Sequence, residues 1–200
     1  MDFESATPSV VKSIKQRDLL NTWIRLYVRD HRLPRVADYA PERLDDERPD
    51  LVAYAVEANA DPARLTILSE GTRMAAAYGH TGKGQLLDDY LGPRLAPVVM
   101  PVYYQCIARA LPVFTIAHIE DAHGRMVAYE RLLLPFSNGT RVTDIVASLK
   151  TISEDGNFEI RNLMRDSSTL PVPKLKAVID RELVHRVPGR VTPHDVIAFE

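Results

Sequence analysis

The middle third of the chain, residues 112–149, constrains the fold most because it holds three apolar segments in succession. Polar segments at residues 121–124 and 137–140 separate them, and both are rich in turn-forming residues. Asn138-Gly139 in the second is a strong hairpin signal, since both residue types accept the positive φ angles of a tight turn. The sequence therefore predicts an antiparallel meander of three strands over residues 112–119, 126–136 and 142–149.

Two further strands and a set of helices are predicted before the meander. Residues 51–57 and 65–70 suit strands on either side of a turn, although the alanines of the first segment also suit a helix. Short helices are predicted over residues 71–78 and 85–90, followed by a longer helix over residues 92–111. This order predicts an α+β fold, with a five-stranded antiparallel sheet and helices on one of its faces.

The N-terminal segment predicts an amphipathic helix over residues 9–30. Ser9 can cap its start, and Pro34 disfavours its continuation. The apolar stripe of this helix, with residues three and four positions apart, contains Leu20, Trp23, Ile24 and Tyr27.

The C-terminal segment is interrupted by prolines and predicts a separate extension with one helix over residues 175–184. The predicted organisation is therefore a flanking helix in residues 1–32, a domain in residues 33–152 and an extension in residues 153–200.

Charge and cysteine content exclude several classes of protein. The formal net charge of −2 gives no electrostatic basis for binding nucleic acid or an anionic membrane. Cys106 is the single cysteine, which excludes an internal disulfide and a cysteine-based zinc site. The acidic N-terminus lacks the apolar core of a signal peptide, and no apolar run reaches the ~20 residues that cross a bilayer. We therefore expect a cytoplasmic protein.

Several short motifs follow one another along the central part of the chain. Residues 131–137, Arg-Leu-Leu-Leu-Pro-Phe-Ser, precede Gly139, Val142 and Asp144. Earlier motifs are residues 33–38 with Pro41, Gly71-Thr72, Thr81-Gly82, and Asp121 with Gly124-Arg125. With the predicted element order, these motifs resemble the PAS domain family, and in particular a bacterial subfamily of small single-domain PAS proteins. The resemblance covers roughly residues 33–152, but the loop at residues 79–82 is shorter than in that subfamily and lacks its aspartate.

The resemblance implies a non-enzymatic sensory or signalling module. PAS domains hold a small ligand between the sheet and the helices, and they signal to protein partners through flanking helices, often as homodimers. The chain lacks the Asn-Cys-Arg-Phe motif of flavin photosensors, and residues 92–111 lack the histidine that haem PAS domains commonly use. The resemblance therefore disfavours flavin and haem, with His80 in a nearby loop as the remaining haem candidate.

A ligand pocket is predicted between the long helix and the second meander strand. The apolar face of the helix must meet the sheet, and it contributes Leu95, Val98, Val99, Val102 and Cys106. The strand contributes Glu130, Arg131, Leu132 and Leu134. Because adjacent strand residues face opposite sides, one of Glu130 and Arg131 can point inward as a polar anchor for a ligand. The alternatives are an open sheet edge or an internal ion pair.

Three consecutive leucines at residues 132–134 imply that both faces of the sheet are covered there. The apolar stripe around Trp23 is the predicted cover of the second face, with Leu133 as its contact. The cover can come from the same chain or from a second copy. Because two-fold dimers are the commonest oligomers, the sequence predicts a homodimer contact formed by Leu20, Trp23, Ile24, Tyr27 and Leu133.

Other reactive side chains have simpler interpretations, and no catalytic or metal-binding residue is assigned. Residues 79–84 lack the glycine spacing and the Lys-Ser or Lys-Thr pair of a phosphate-binding loop. Cys106 is predicted to be a core residue rather than a reactive thiol. A cluster at the first hairpin has metal-binding side chains, although polar residues are also normal at a hairpin end: His118, Glu120, Asp121 and His123.

Two alternatives to a sensory module remain. The first is an enzyme for small molecules that uses His80, His118 or Glu130 as acid or base, which requires two titratable groups in one pocket. The second is a pure assembly module whose cavity is filled by its own side chains. A densely packed interior would favour this second alternative.

Overall fold

A seven-stranded sheet forms the central layer of the fold in the computed structural model, which describes residues 2–42, 44–153, 156, 158–166 and 170–180. The strands are β1 Glu4–Ala6, β2 Leu51–Glu57, β3 Arg64–Glu70, β4 Val113–Glu120, β5 Met126–Phe136, β6 Asp144–Ser153 and β7 Val172–Ile179. They lie in the order β1-β7-β4-β5-β6-β2-β3. The α-helices are α1 Ile14–Asp30, α2 Leu44–Glu47, α3 Thr72–Tyr78, α4 Leu87–Arg109 and α5 Leu163–Asp166.

The predicted meander is present, and all five predicted strands are confirmed. β5 pairs antiparallel with β4 and β6, and β2 pairs antiparallel with β6 and β3. The succession of β2, β3, a short helix, α4 and the β4–β6 meander is the order that the PAS resemblance predicts. The α+β class is therefore confirmed, and the central five strands have a PAS-like arrangement.

The sheet also contains two strands that the sequence pattern does not predict. β7 pairs antiparallel with β4 and β1 pairs parallel with β7, so the sheet is mixed and seven-stranded rather than antiparallel and five-stranded. The helix predicted over residues 175–184 is wrong for its described part, because Val172–Ile179 is β7; residues 181–184 lie outside the described residues. β4 would otherwise present an unpaired edge, which β7 covers with backbone hydrogen bonds.

The first helix starts later than predicted. Pro8–Val10 forms a 3₁₀ turn, and α1 begins at Ile14. The Ser13 hydroxyl, rather than that of Ser9, accepts a hydrogen bond from the Gln16 N–H at 3.4 Å.

The long helix contains a break at Gly92, which has a φ of 69° that glycine adopts at little cost. A short helical segment and a longer one meet there, as the sequence predicts. The longer segment continues through Pro97 and Pro101.

The two meander turns differ in how well they match the prediction. In the first, the Asp121 carboxylate accepts from the N–H groups of His123 and Arg125 at 2.8 and 2.9 Å, which confirms a tight turn. In the second, neither Asn138 nor Gly139 has a positive φ. The predicted two-residue turn is therefore wrong, because residues 137–143 form a longer connection held by side-chain hydrogen bonds.

Each face of the sheet has its own hydrophobic core. On the face that we call inner, α4 packs on the sheet, and Tyr103 and Cys106 share a core with Leu133. On the outer face, α1 packs on the sheet, and Trp23 shares a core with Leu132. The N-terminal helix therefore covers the second face of the sheet, as the three consecutive leucines and the Trp23 stripe predict. None of the described helices combines the length and apolar character needed to cross a membrane.

Gly71 lies between β3 and α3, where the backbone of another segment passes close by. Its N–H donates to the Leu51 carbonyl at 2.7 Å, and a Cβ atom there would lie 2.2 Å from the Pro49 carbonyl oxygen. We expect Gly71→Ala to lower the free energy of unfolding by about 1–3 kcal/mol, because backbone must move to admit the methyl group. Urea unfolding measures the change. Gly139→Ala is the matched control, with nothing within 4 Å of its Cβ position, and equal effects would contradict the close approach.

Candidate ligand site

A small cavity of about 40 Å³ lies on the inner face between α4 and strands β4, β5 and β7. This volume can hold a few water molecules or a small ligand. Three valines of α4 line one side, and no Asp or Glu occurs among the described lining residues. The polar side chains of the lining are Thr115, Tyr129, Arg131 and Lys176.

Arg131 is the polar centre of the cavity. The residue is only 6% exposed, and its Nε atom is buried without a hydrogen-bond partner among the described residues. Among the residues that the structure describes, no carboxylate forms an ion pair with it. Because a guanidinium stays protonated in proteins, the chain buries a positive charge that its described side chains do not neutralise.

Aromatic rings surround the Arg131 guanidinium. Its Cζ atom lies 5.3 Å from the ring centre of Tyr129 and 5.6 Å from that of Tyr103, so both rings make cation–π contacts. The hydroxyls of Tyr103 and Tyr54 hydrogen-bond to each other at 3.0 Å. The hydroxyls of Tyr78 and Tyr129 are buried without a hydrogen-bond partner in the described part of the chain.

Burial sets the ionisation state of these groups. It raises the pKa of Tyr129 to about 12 against the opposing effect of Arg131, and it raises the pKa values of Tyr54, Tyr78 and Tyr103. Burial lowers the pKa of Arg131, but the surrounding phenols raise it, and it ends above its usual value. At neutral pH the phenols are uncharged, so they supply dipoles and ring faces rather than a counter-charge.

The two cation–π contacts compensate only part of the cost of burying Arg131. Removing an ion from water costs several kcal/mol even after the protein relaxes. A cation–π contact recovers about 0.5–2 kcal/mol, so the two contacts offset only part of that cost. A charge buried in this way marks a candidate functional site, since packing alone does not require it.

Strand register places a second cation beside Arg131. Thr115 of β4 pairs with Arg131 of β5 on one side and with Lys176 of β7 on the other. The three side chains therefore form one row across adjacent strands. Lys176 is partly exposed and lies 5.5 Å from the Phe3 ring centre, so this cation reaches solvent whereas Arg131 does not.

We expect Arg131→Met to raise the free energy of unfolding of the ligand-free protein by about 1–4 kcal/mol. Methionine has a similar length and carries no charge that must leave water. Urea unfolding in a buffer that contains few small anions measures the change. Arg17→Met is the control, because Arg17 lies on the exposed side of α1. A marked loss of stability would show that the tyrosine rings alone compensate the buried charge.

Part of the predicted pocket lines the cavity. Val98, Val99 and Val102 of α4 do so. Leu95 and Cys106 are buried in the inner core but are not among the lining residues. Burial raises the pKa of the Cys106 thiol, which donates to a backbone carbonyl at 3.4 Å and so has the surroundings of a core residue.

The sequence predicts Leu132 and Leu134 on the inner face and Leu133 on the outer face, and the structure shows the reverse. Leu133 lies on the inner face, and Leu132 and Leu134 lie on the outer face under α1. Side chains alternate along a strand, so the inward position of Arg131 also places Glu130 on the outer face. There burial raises the pKa of Glu130 and the opposing Lys150 lowers it. Leu132, Leu134 and Glu130 are therefore not at the cavity.

The stripe of α1 covers the outer face of its own sheet. Leu20 and Trp23 are buried there, and Ile24 and Tyr27 are partly buried in the same core. The Trp23 Nε1–H donates to the Pro135 carbonyl at 2.7 Å. Within the chain, the stripe packs against Leu132 and Leu134 of β5, which is the cover from the same chain that the sequence leaves open. A homodimer contact through this stripe stays a prediction.

The acid and base candidates do not meet in one pocket. His80 is exposed, and its Nδ1 lies 3.0 Å from the Tyr78 carbonyl oxygen. His118 lines a separate pocket that includes neither His80 nor Glu130. No group of three possible metal ligands occurs in the part of the chain that the structure describes. The loop at residues 79–84 is docked on β3, because the Gly84 N–H donates to the Ile67 carbonyl at 2.8 Å.

A larger groove of about 490 Å³ lies on the outer face beside β2 and the segment before it. Its two charged lining side chains already have partners: Arg48 pairs with Asp45 at 2.7 Å, and Glu70 accepts from the Gly82 N–H at 2.8 Å. Two buried polar groups that line the inner cavity, the Arg131 Nε and the Tyr129 hydroxyl, have no hydrogen-bond partner among the described residues, so this cavity is the better candidate for a ligand site.

Three polar members of the site are missing from the sequence prediction. Thr115 and Lys176 join Arg131 only through the register of β4 with β5 and β7, and Tyr129 lies two positions before Arg131 on the same face. Because side chains alternate along β5, Tyr129 could have been assigned to the site once Arg131 was placed on the inner face. The sequence gives no comparable signal for Lys176, since β7 itself is not predicted.

Comparisons with known proteins give little further information. No protein-family model matches the chain, and no curated protein matches it. Among solved structures, a light-oxygen-voltage domain studied with a flavin analogue is similar at a TM-score of 0.41 and 13% sequence identity. The similarity covers 57% of this chain and 84% of that domain. Both similarity values are low, so the PAS-like arrangement rests on the element order and sheet topology of this chain.

Proposed function

We propose that the chain is a non-enzymatic sensory module of the PAS type that binds a small ligand in the inner cavity. The observation that carries the proposal is the buried Arg131 guanidinium, which no described carboxylate neutralises. A ligand that neutralises it would stabilise the folded state by mass action. This gain in stability would allow the protein to respond to the concentration of the ligand.

The walls of the cavity suggest how binding would be transmitted to a protein partner. Met164 of α5 and Pro173 and Lys176 of β7 line the cavity together with α4. Arg94 of α4 donates to the Met164 carbonyl, which fastens α5 to the long helix. A ligand would therefore change the packing of Met164 and of residues 171–176 against the sheet, and these two segments are the proposed output.

An assembly module without a ligand is the second candidate, and the packing of the interior favours it. The cavity of about 40 Å³ is far smaller than the ~300–1,000 Å³ of most ligand pockets. Buried tyrosines fill the space between α4 and the sheet. In this alternative, the outer groove beside β2 would receive a protein partner.

Native mass spectrometry of the purified protein tests the proposal. We expect a ligand-bound mass that disappears on denaturation and that Arg131→Met does not retain. The same spectrum reports the number of subunits. A bare mass for the wild-type protein, together with no change in melting temperature across a panel of small metabolites, would contradict the proposal and favour the assembly module.

A further inference from the structure

We infer that the inner cavity binds a short aliphatic carboxylate, with its carboxylate group on Arg131 and its alkyl group on the valines of α4. The inference rests on the proposed function and adds the chemical class of the ligand. Charge, hydrogen bonding and shape support it separately.

The charge of the cavity favours an anion. Arg131 and Lys176 both line it, and no acidic residue is among the described lining residues. The neighbouring phenols are neutral at physiological pH, because burial raises the pKa of Tyr129 to about 12. A ligand with a negative charge would therefore supply the counter-charge that the described side chains lack.

The donors of the cavity match a carboxylate. Arg131 is 6% exposed and Tyr129 is 3% exposed, and in the described part of the chain the buried Arg131 Nε and Tyr129 hydroxyl have no hydrogen-bond partner. Thr115, 6% exposed, lies between Arg131 and Lys176 in the strand register. A guanidinium binds the two oxygens of a carboxylate side by side, and the hydroxyls can satisfy the remaining lone pairs.

The shape of the cavity favours a carboxylate over an inorganic oxyanion. Val98, Val99 and Val102 form one wall, and they offer no hydrogen bonds. Phosphate or sulfate would direct oxygens toward these valines, and an oxygen buried without a partner is unfavourable. The volume of about 40 Å³ limits the ligand to a few heavy atoms, as in acetate or propionate.

Isothermal titration calorimetry of the full chain with acetate, propionate, butyrate, propionamide and phosphate tests the inference. We expect propionate to bind, and propionamide and phosphate to bind at least tenfold more weakly. Arg131→Met should weaken propionate binding by roughly 30-fold or more, since it removes a buried charge partner. Thr115→Val, which keeps the side-chain shape, should have a smaller effect in the same direction. The surface variant Arg17→Met should bind like the wild type.

The outcomes separate this inference from the proposed function. Urea unfolding first establishes that each variant is folded. If propionate binds equally to the wild type and Arg131→Met, or phosphate binds more tightly than propionate, the carboxylate inference is overturned. If native mass spectrometry finds a ligand that Arg131→Met retains, Arg131 is not its anchor, so the carboxylate inference is wrong and the ligand-binding module requires a different site. If no ligand is found and no carboxylate binds, both are wrong.

Discussion

Replacing Lys150 with methionine is expected to lower the free energy of unfolding by about 3–5 kcal/mol, because it leaves buried carboxylates without their main partner. Lys150 Nζ lies 2.7 Å from Glu47 Oε2 and 2.7 Å from Asp50 Oδ2. The side chains of Glu47 and Asp50 are 0% and 4% exposed. Their other cations, Lys15 and Arg73, are 45% and 60% exposed, so solvent screens those interactions.

The substitution should also loosen the packing of residues 44–50, because Lys150 of β6 holds Glu47 and Asp50 in place. Arg48→Met is the matched control, because the Arg48–Asp45 pair has side chains that are 71% and 86% exposed. We expect the control to change stability by about 0–1 kcal/mol. Urea unfolding of both variants measures the difference. A loss below about 1 kcal/mol for Lys150→Met would show that Glu47 and Asp50 do not depend on it.

Trp23→Ala is expected to lower the free energy of unfolding by about 3–5 kcal/mol, the usual cost of truncating a buried aromatic residue. Trp23 is 2% exposed and packs between α1 and the outer face of the sheet. The substitution would also leave the Pro135 carbonyl without the indole donor that lies 2.7 Å away. β4 pairs with β5 only as far as Leu133, so none of the described strands on the β4 side can donate to the Pro135 carbonyl in place of Trp23.

Val28→Ala on the same helix is the control, since Val28 is 37% exposed. Its effect should stay within about 0.5 kcal/mol. Light scattering on wild type and Trp23→Ala separates an intramolecular role from self-association. If Trp23→Ala reduces the subunit count and leaves the stability of the single chain unchanged, the α1 stripe serves a second copy and the intramolecular account is wrong.

The meander is predictable because its signals are local. β-branched and aromatic residues in β4 and the Asp121 turn are enough to define two strands and their order. The run of Leu132, Leu133 and Leu134 correctly predicts burial on both faces. It does not tell which leucine meets which helix, because a shift by one residue exchanges the faces.

β7 and the complete candidate site are not predictable in the same way. Pro173 disfavours regular structure and the sequence predicts a helix from residue 175, whereas Val172–Ile179 forms a strand that pairs with the edge of β4. Lys176 and Thr115 meet Arg131 through pairing between strands that are distant in sequence. Periodicity along one segment carries no information about such pairing, whereas the α4 valines follow from a single helical stripe.

Nuclear Overhauser measurements between unlabelled propionate and a protein with labelled valine methyl groups test most directly whether the inner cavity is a carboxylate site. We predict contacts from propionate to Val98, Val99 or Val102, and their loss in Arg131→Met. The outer groove provides an internal comparison, because Val36, Val52 and Val146 line it. Contacts to those three valines alone, or no contacts at saturating propionate, would contradict the assignment of Arg131 as the anchor of a ligand.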